Sequence, residues 1–218
     1  MAVNFYRNVH IADSLGIGTD NPTYKLDVVG AIGVNTYIHH NDDTDTFIGF
    51  PAVDNFQVTV GNVKEFDVSA GIVGITNTLK YDNPTANSEF NGEIVNFGSF
   101  AETTAAGDLI CLGTDAGSPV WRLANNGNSV DSTGMLGIAM GSNPDAGILV
   151  RGHARLAGYS VLADGGKCYI SSTNGDMTTT APTGSGTYLR IVGYVVDSVS
   201  LSYGHIYFCP DNTWVEIA

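Results

Sequence analysis

The chain has 218 residues, of which 43% are hydrophobic and only 14% are charged, and its formal net charge at pH 7 is −13. No basic stripe offsets the 22 acidic residues, so the chain cannot neutralise phosphate groups. This balance excludes nucleic acid as a partner and disfavours anionic membranes. No apolar run approaches the length that spans a bilayer, which excludes membrane insertion.

Glycine is abundant, with 27 residues, and the residue types of exposed helices are scarce. Short apolar or alternating runs recur at roughly eight to twelve residues between turn-forming residues, as is typical of an all-β sandwich or barrel. The only helix-favourable window, residues 101–106, ends at Gly107. We therefore predict an all-β chain with two regions. A region of short repeated strands (residues 1–97) precedes a compact β-barrel or sandwich (residues 98–218).

Residues 15–30 combine closely spaced glycines, an Asn-Pro turn and an apolar-Asp-Val strand. Gly16 and Gly18 permit a close backbone approach, and Asn21 before a proline predicts a turn. The segment, LGIGTDNPTYKLDVVG, resembles a repeat of tail-fibre and other fibrous structural proteins of tailed bacteriophages. The resemblance implies a homotrimer at the surface of a virus particle, in which residues 1–97 are a fibre-like region for attachment and trimerisation.

Two segments of the N-terminal region share an apolar-Asp-Val strand, a small-residue turn and a second apolar strand, forty residues apart. The similarity predicts equivalent structural roles for Asp27 and Asp67. It also predicts that the apolar residues beside them are buried: Leu26, Val28, Phe66 and Val68. A unit of a few short strands cannot close a core alone, so it must stack on its neighbours or on other chains.

Three runs of the C-terminal region resemble three later runs at offsets of 59, 56 and 57 residues: 107–112 and 166–171, 135–140 and 191–196, 146–150 and 203–207. We infer a duplicated three-strand unit whose copies bury each other's apolar faces. This half also resembles a module of phage virion proteins. The segments that carry the likeness are Gly107-Asp108, 136–139, 150–154, 169–175, 190–194 and 206–208.

Arg151, His153 and Arg155 alternate along one predicted strand and would share a face. Such a face is either a weak surface for a small anionic ligand or, as we favour, a stripe of salt bridges at the surface or between subunits.

No other motif predicts catalysis, a cofactor or a metal. His39 and His40 are adjacent, so strand alternation sends them to opposite faces, and the loop with Asp42, Asp43 and Asp45 lacks the distal Glu of a calcium loop. Phosphate-loop and nucleophile-elbow patterns are absent from the sequence. The number and wide spacing of the three cysteines predict no disulfide framework. We expect all three to be buried thiols: Cys111, Cys168 and Cys209.

These expectations describe a non-enzymatic structural component of a tailed-bacteriophage particle. It would be a homotrimeric short fibre or a decoration protein of the capsid or tail, acting by assembly and display. Its expected partners are itself and other virion proteins. The first residues lack the charged start and apolar core of a signal peptide, so we expect assembly in the host cytoplasm and a final place on the virion surface.

The alternative is a carbohydrate-binding receptor-recognition module or a depolymerase. Aromatic residues crowd the second half: Trp121, Tyr188, Tyr194, Tyr203, Tyr207 and Trp214. If they are exposed, they could stack on a host-surface glycan; if they are buried, they are ordinary core. We favour the core.

Overall fold

A computed structural model describes residues 14–76, 79–86, 88–157, 164–197 and 203–218. Regular structure in these ranges is nineteen β-strands and one 3-10 turn, Pro144–Ala146, so the predicted all-β class is confirmed. None of the described residues belongs to a helix that could cross a membrane. The chain divides into two compact units between Leu79 and Lys80. This division lies before the boundary expected at residue 97, because the strand Phe90–Val95 already pairs with a strand of the second unit.

The first unit holds a parallel pair of strands and a five-stranded antiparallel meander in the order β3-β4-β5-β6-β7. The bounds are β1 (Leu15–Ile17), β2 (Leu26–Val28), β3 (Tyr37–His40), β4 (Asp43–Gly49), β5 (Asn55–Val60), β6 (Val63–Ser69) and β7 (Ile72–Ile75).

The parallel pair β1-β2 is closed by its own turn. The Asp27 carboxylate accepts hydrogen bonds from the backbone N–H of Thr23, at 2.9 Å, and from its hydroxyl, at 3.2 Å. A Cβ on Gly18, where φ is +78°, would lie 2.9 Å from the carbonyl oxygen of Val29, and a Cβ on Gly16 would meet the turn itself. The close backbone approach predicted for these two glycines is therefore confirmed.

The meander has one apolar face. Residues directly opposite each other on paired strands point to the same side of a sheet. The pairing therefore places eight apolar side chains together, in what we call the apolar face: Ile38, Ile48, Phe56, Val58, Phe66, Val68, Val73 and Ile75. The other face is mainly polar, and on it Tyr37 packs on Phe47 with ring centroids 4.4 Å apart.

Asp27 and Asp67 do not occupy equivalent places. Asp67 lies in β6 between two antiparallel neighbours and pairs with the Lys64 ammonium at 3.3 Å, whereas Asp27 closes the turn of a parallel pair. The expected burial is also wrong for the single chain, where Leu26 is 56% exposed and Val68 is 36% exposed. The forty-residue similarity is therefore one of sequence, because a three-residue strand pattern does not determine which strand it pairs with.

The second unit holds the remaining strands, and β16 and β19 form a separate antiparallel pair. The bounds are β8 (Phe90–Val95), β9 (Ser99–Phe100), β10 (Leu109–Asp115), β11 (Ser118–Leu123), β12 (Leu136–Ala139), β13 (Ile148–Ala157), β14 (Lys167–Ile170), β15 (Met177–Thr178), β16 (Tyr188–Leu189), β17 (Ile191–Asp197), β18 (Tyr203–Phe208) and β19 (Val215–Glu216).

The topology confirms the predicted duplication and extends it by one strand. The main sheet runs β15-β14-β17-β18-β13-β12-β10-β11-β9. Outward from β13 the order is β12, β10, β11, and outward from β18 it is β17, β14, β15. Each half is therefore the same four-strand arrangement, and the halves join where β13 and β18 pair antiparallel.

Strand β13 belongs to both halves. It pairs with β12 through Ile148 and Leu149, and with β18 from Gly152 to Ala157. Strand β8 follows it from Ile148 to Ala154 with a register shift between Leu149 and Arg151. This irregularity lets β13 bend, so that its first residues pair with one half of the sandwich-like unit and its later residues pair with the other half. Residues of both halves meet in one core, which includes Leu136, Leu149, Ile170, Ile206 and Phe208.

The cysteines are free thiols in the second unit. Cys111 and Cys168 are buried, as predicted, and burial raises the pKa of each to about 11. Cys209 is only partly buried. Because the thiolate is the reactive form, the two buried cysteines are small core residues rather than nucleophiles.

Candidate functional site

The three residues predicted to share a face do so. On β13 the partly or fully exposed Arg151, His153 and Arg155 alternate with buried residues, of which Ala154 and Leu156 enter the core. The outer surface of β13 is therefore a polar stripe at the join between the two halves of the second unit.

A pair of histidines lies at the centre of this stripe. His153 Nδ1 is 2.9 Å from His205 Nε2 on the neighbouring β18, and the Tyr207 ring packs on His153 with centroids 5.0 Å apart. His205 is 4% exposed. One imidazole must present a lone pair to the other's N–H, so at least one ring is neutral. Burial lowers the pKa of both histidines, and the pKa of His205 is lowered further by His153 and Arg155 and raised by Asp197.

The flanking arginines contact uncharged oxygens. Arg155 Nη1 donates to the carbonyl oxygen of Thr85 at 2.9 Å, and Arg151 Nε donates to the Tyr207 hydroxyl at 3.5 Å. Among the described residues neither guanidinium has a carboxylate oxygen within 4.0 Å. Arg155 still acts on Glu89, whose pKa is lowered mainly by the N–H groups of Ala86 and Thr85 and less by this arginine. Within one chain, the stripe leaves its positive charge largely uncompensated by close ion pairs.

The histidine pair predicts a pH-dependent stability. Because the folded state lowers both pKa values, the unfolded chain binds protons more readily as the pH falls through the ordinary histidine range near 6.5. We expect the urea midpoint of the second unit to be lower at about pH 5.5 than at about pH 7.5. A chain carrying His153→Gln and His205→Gln should lose most of this difference. An equal pH dependence in both chains would contradict the assignment.

A cavity of about 550 Å³ opens beside Arg151. Its lining comes from β8, the start of β12, the irregular part of β13 and the residues just before β12, before β17 and after β18: Glu93, Thr133, Gly134, Met135, Leu136, Val150, Arg151, Arg190, Cys209, Pro210 and Asn212. The sequence argument named Arg190 only as the first residue of the segment 190–194, which resembles phage virion proteins, and gave its side chain no role.

Arg190 is built into the wall of this cavity. The residue is 3% exposed. Its Nε donates to the carbonyl oxygen of Asp211 at 2.6 Å, and its Nη1 donates to those of Ser132 and Gly134 at 2.9 and 2.6 Å. Burial lowers its pKa, but an arginine stays protonated at any physiological pH. The cavity therefore has a fixed positive charge in its wall.

The aromatic residues of the second half of the sequence differ in burial and in the residues that they contact. Trp121 is buried, and its indole N–H donates to the carbonyl oxygen of Phe97 at 2.9 Å, so it is core as we favoured. Trp214 and Tyr194 are exposed, and Trp214 packs edge-on against Tyr188. Tyr207 contacts the histidine pair.

The acidic loop near the histidines of the first unit does not form a metal cluster. His40 Nδ1 lies 3.4 Å from the Asp43 carboxylate, and His39 packs against Phe47. In the described ranges no three His, Cys, Asp or Glu residues are grouped so that they could hold a metal ion.

The chain was compared with protein-family models, with curated proteins and with solved structures. No match was found in any of the three comparisons. A functional interpretation therefore depends on the chain itself: on its sequence, and on the apolar face, the polar stripe of β13 and the cavity beside it.

Proposed function

We propose that this chain is a non-enzymatic structural protein of a tailed-bacteriophage particle. It assembles as a homotrimer into a short fibre or a surface decoration of the capsid or tail. The observation that carries the proposal is the apolar face, which is uncovered in the single chain. Ile38, Ile48, Val73 and Ile75 are all exposed on it.

An amphipathic sheet needs a second layer over its apolar side. Every buried hydrophobic residue of the described ranges lies between residues 109 and 208, so the first unit has no hydrophobic core of its own. Fully burying one isoleucine, valine or phenylalanine stabilises a structure by about 1.5–3 kcal/mol. A face of eight such residues is therefore a strong driving force for association.

Copies of the same chain are the partner that best suits this face. A self-association surface is present at equal concentration on every copy, and its central residues include no charge that would need compensation. The low charged fraction of the whole chain, 14%, agrees with surfaces that are buried in an assembly. The choice of three copies and of a phage particle is supported by the resemblance of residues 15–30 to phage fibre repeats.

The oligomeric state tests the proposal. Light scattering of the full-length protein is expected to give three times the chain mass of 22.9 kDa at micromolar concentration. A stable monomer under these conditions would contradict the homotrimer and most of the fibre interpretation. Gold-labelled antibodies on intact particles then locate the protein on the head or the tail, and an absence of labelling would contradict the virion assignment.

A further inference from the structure

The cavity beside Arg151 exists because the two halves of the second unit separate there. Strand β12 pairs with β13 only through Ile148 and Leu149, and β18 begins to pair at Gly152. Val150 and Arg151 therefore have no partner on β12 or β18, and both line the cavity. The gap follows from the duplicated architecture, and ligand sites commonly lie where two structural halves meet.

The charge of the cavity opposes that of the chain. Arg151 and Arg190 are its two cations and Glu93 is its one carboxylate, in a protein of net charge −13. Three backbone carbonyls hold Arg190 in place, so its charge is available without the cost of ordering a side chain. Arg151 donates only Nε to Tyr207 among the bonds that the structure shows. A guanidinium in this position suits an incoming carboxylate.

The remaining lining groups suit a hydroxylated ligand. Asn212 and Thr133 offer an amide and a hydroxyl, and Glu93 offers acceptors for ligand hydroxyls. Met135, Val150 and Pro210 supply apolar surface for C–H groups. The volume of about 550 Å³ lies within the range of about 300–1,000 Å³ that is usual for small-molecule sites.

We propose that this cavity binds a small hydroxylated carboxylate, the chemistry of a sugar acid. Arg151 and the field of Arg190 hold the carboxylate, Glu93 and Asn212 contact the hydroxyls, and the apolar wall covers the C–H face. The site lies within the second unit and does not depend on the homotrimer.

The test is a calorimetric or NMR titration of the full-length protein with glucuronate, glucose and inorganic phosphate. Glucuronate should bind more tightly than either of the other two, because only it offers both a carboxylate and ring hydroxyls. Arg151→Gln should weaken glucuronate binding by about tenfold, the effect of losing one charge-assisted contact. Lys167→Gln is the matched control, because it removes one positive charge from the second unit at a residue outside the cavity lining and should leave binding unchanged.

Equal binding of glucose and glucuronate would overturn the role of the carboxylate. Phosphate binding as tightly as glucuronate would overturn the sugar-acid assignment and leave a simple anion site. Undetectable glucuronate binding, or binding that Arg151→Gln does not change, would overturn the proposal. None of these results bears on the oligomeric state, so the site and the proposed assembly fail or stand separately.

Discussion

Replacing Ile48 with aspartate is expected to convert the proposed homotrimer of the full-length chain into a 22.9 kDa monomer. Ile48 lies on the apolar face between Ile38 and Val58. The substitution removes about 2 kcal/mol of apolar burial from each chain and places a carboxylate in an interface that offers it no partner. Summed over three chains, the apolar loss alone is about 6 kcal/mol, which weakens association by about four orders of magnitude. Light scattering and sedimentation measure the change directly.

Ile72→Asp is the matched control for this result. Ile72 pairs with Ser69, so it points to the other face of the same sheet, and it is 66% exposed against 43% for Ile48. The same chemical change at this residue should leave the proposed homotrimer intact. If both variants dissociate, the sheet itself has been damaged; if Ile48→Asp stays trimeric, the apolar face is not the interface.

Gly152→Ala is expected to destabilise the second unit by at least about 3 kcal/mol, which lowers the melting temperature by about 10 °C. The backbone of Gly152 has φ of +143°, and a Cβ there would lie 2.6 Å from the Cα of Gly92 on β8. The other nearest atoms are the carbonyl oxygen and carbon of Asn91, which also belong to the backbone of β8. Strand β8 must therefore move away from β13, the strand that both halves share. Thermal denaturation of the full-length chain monitored by circular dichroism gives the shift.

Gly117→Ala separates the steric effect from the conformational one. Gly117 also has a positive φ, +84°, but a Cβ there would meet no atom within 4 Å. We expect a loss of only about 1 kcal/mol at this turn. A Gly152→Ala chain no less stable than the Gly117→Ala chain would show that β8 and β13 are not closely packed.

Short-range regularities of the sequence predicted much of the second unit. Alternation within 148–157 indicated which side chains of β13 face outward, and the recurrence near 57 residues indicated the duplicated strand order. Both follow from local rules, since a strand alternates with period two and duplicated strands keep their partners. The roles of Gly16 and Gly18 in the first unit were also predictable from a local rule, because a residue without a Cβ permits a close backbone approach.

Long-range pairing accounts for what the sequence could not show. The segments around Asp27 and Asp67 look alike, yet one pairs in parallel with β1 and the other is an inner strand of a meander. The cavity depends on where β12 stops and β18 begins along β13, and no local pattern encodes that point. Arg190 acquires its place only through three carbonyls that are distant in sequence.

The place of β13 between both halves has a consequence for the order of events during synthesis. Its neighbour β18 lies far along the chain from β13, so the ribosome must release Phe208 before the central pair of the main sheet can close. The first unit emerges earlier, with its apolar face complete but without a covering layer. A nascent chain therefore exposes the apolar face of its first unit early in translation and an unpaired β13 until late in translation. Pairings between strands that are far apart in sequence also form slowly. In the proposed homotrimer, copies made on neighbouring ribosomes of one messenger would be the first to cover this surface.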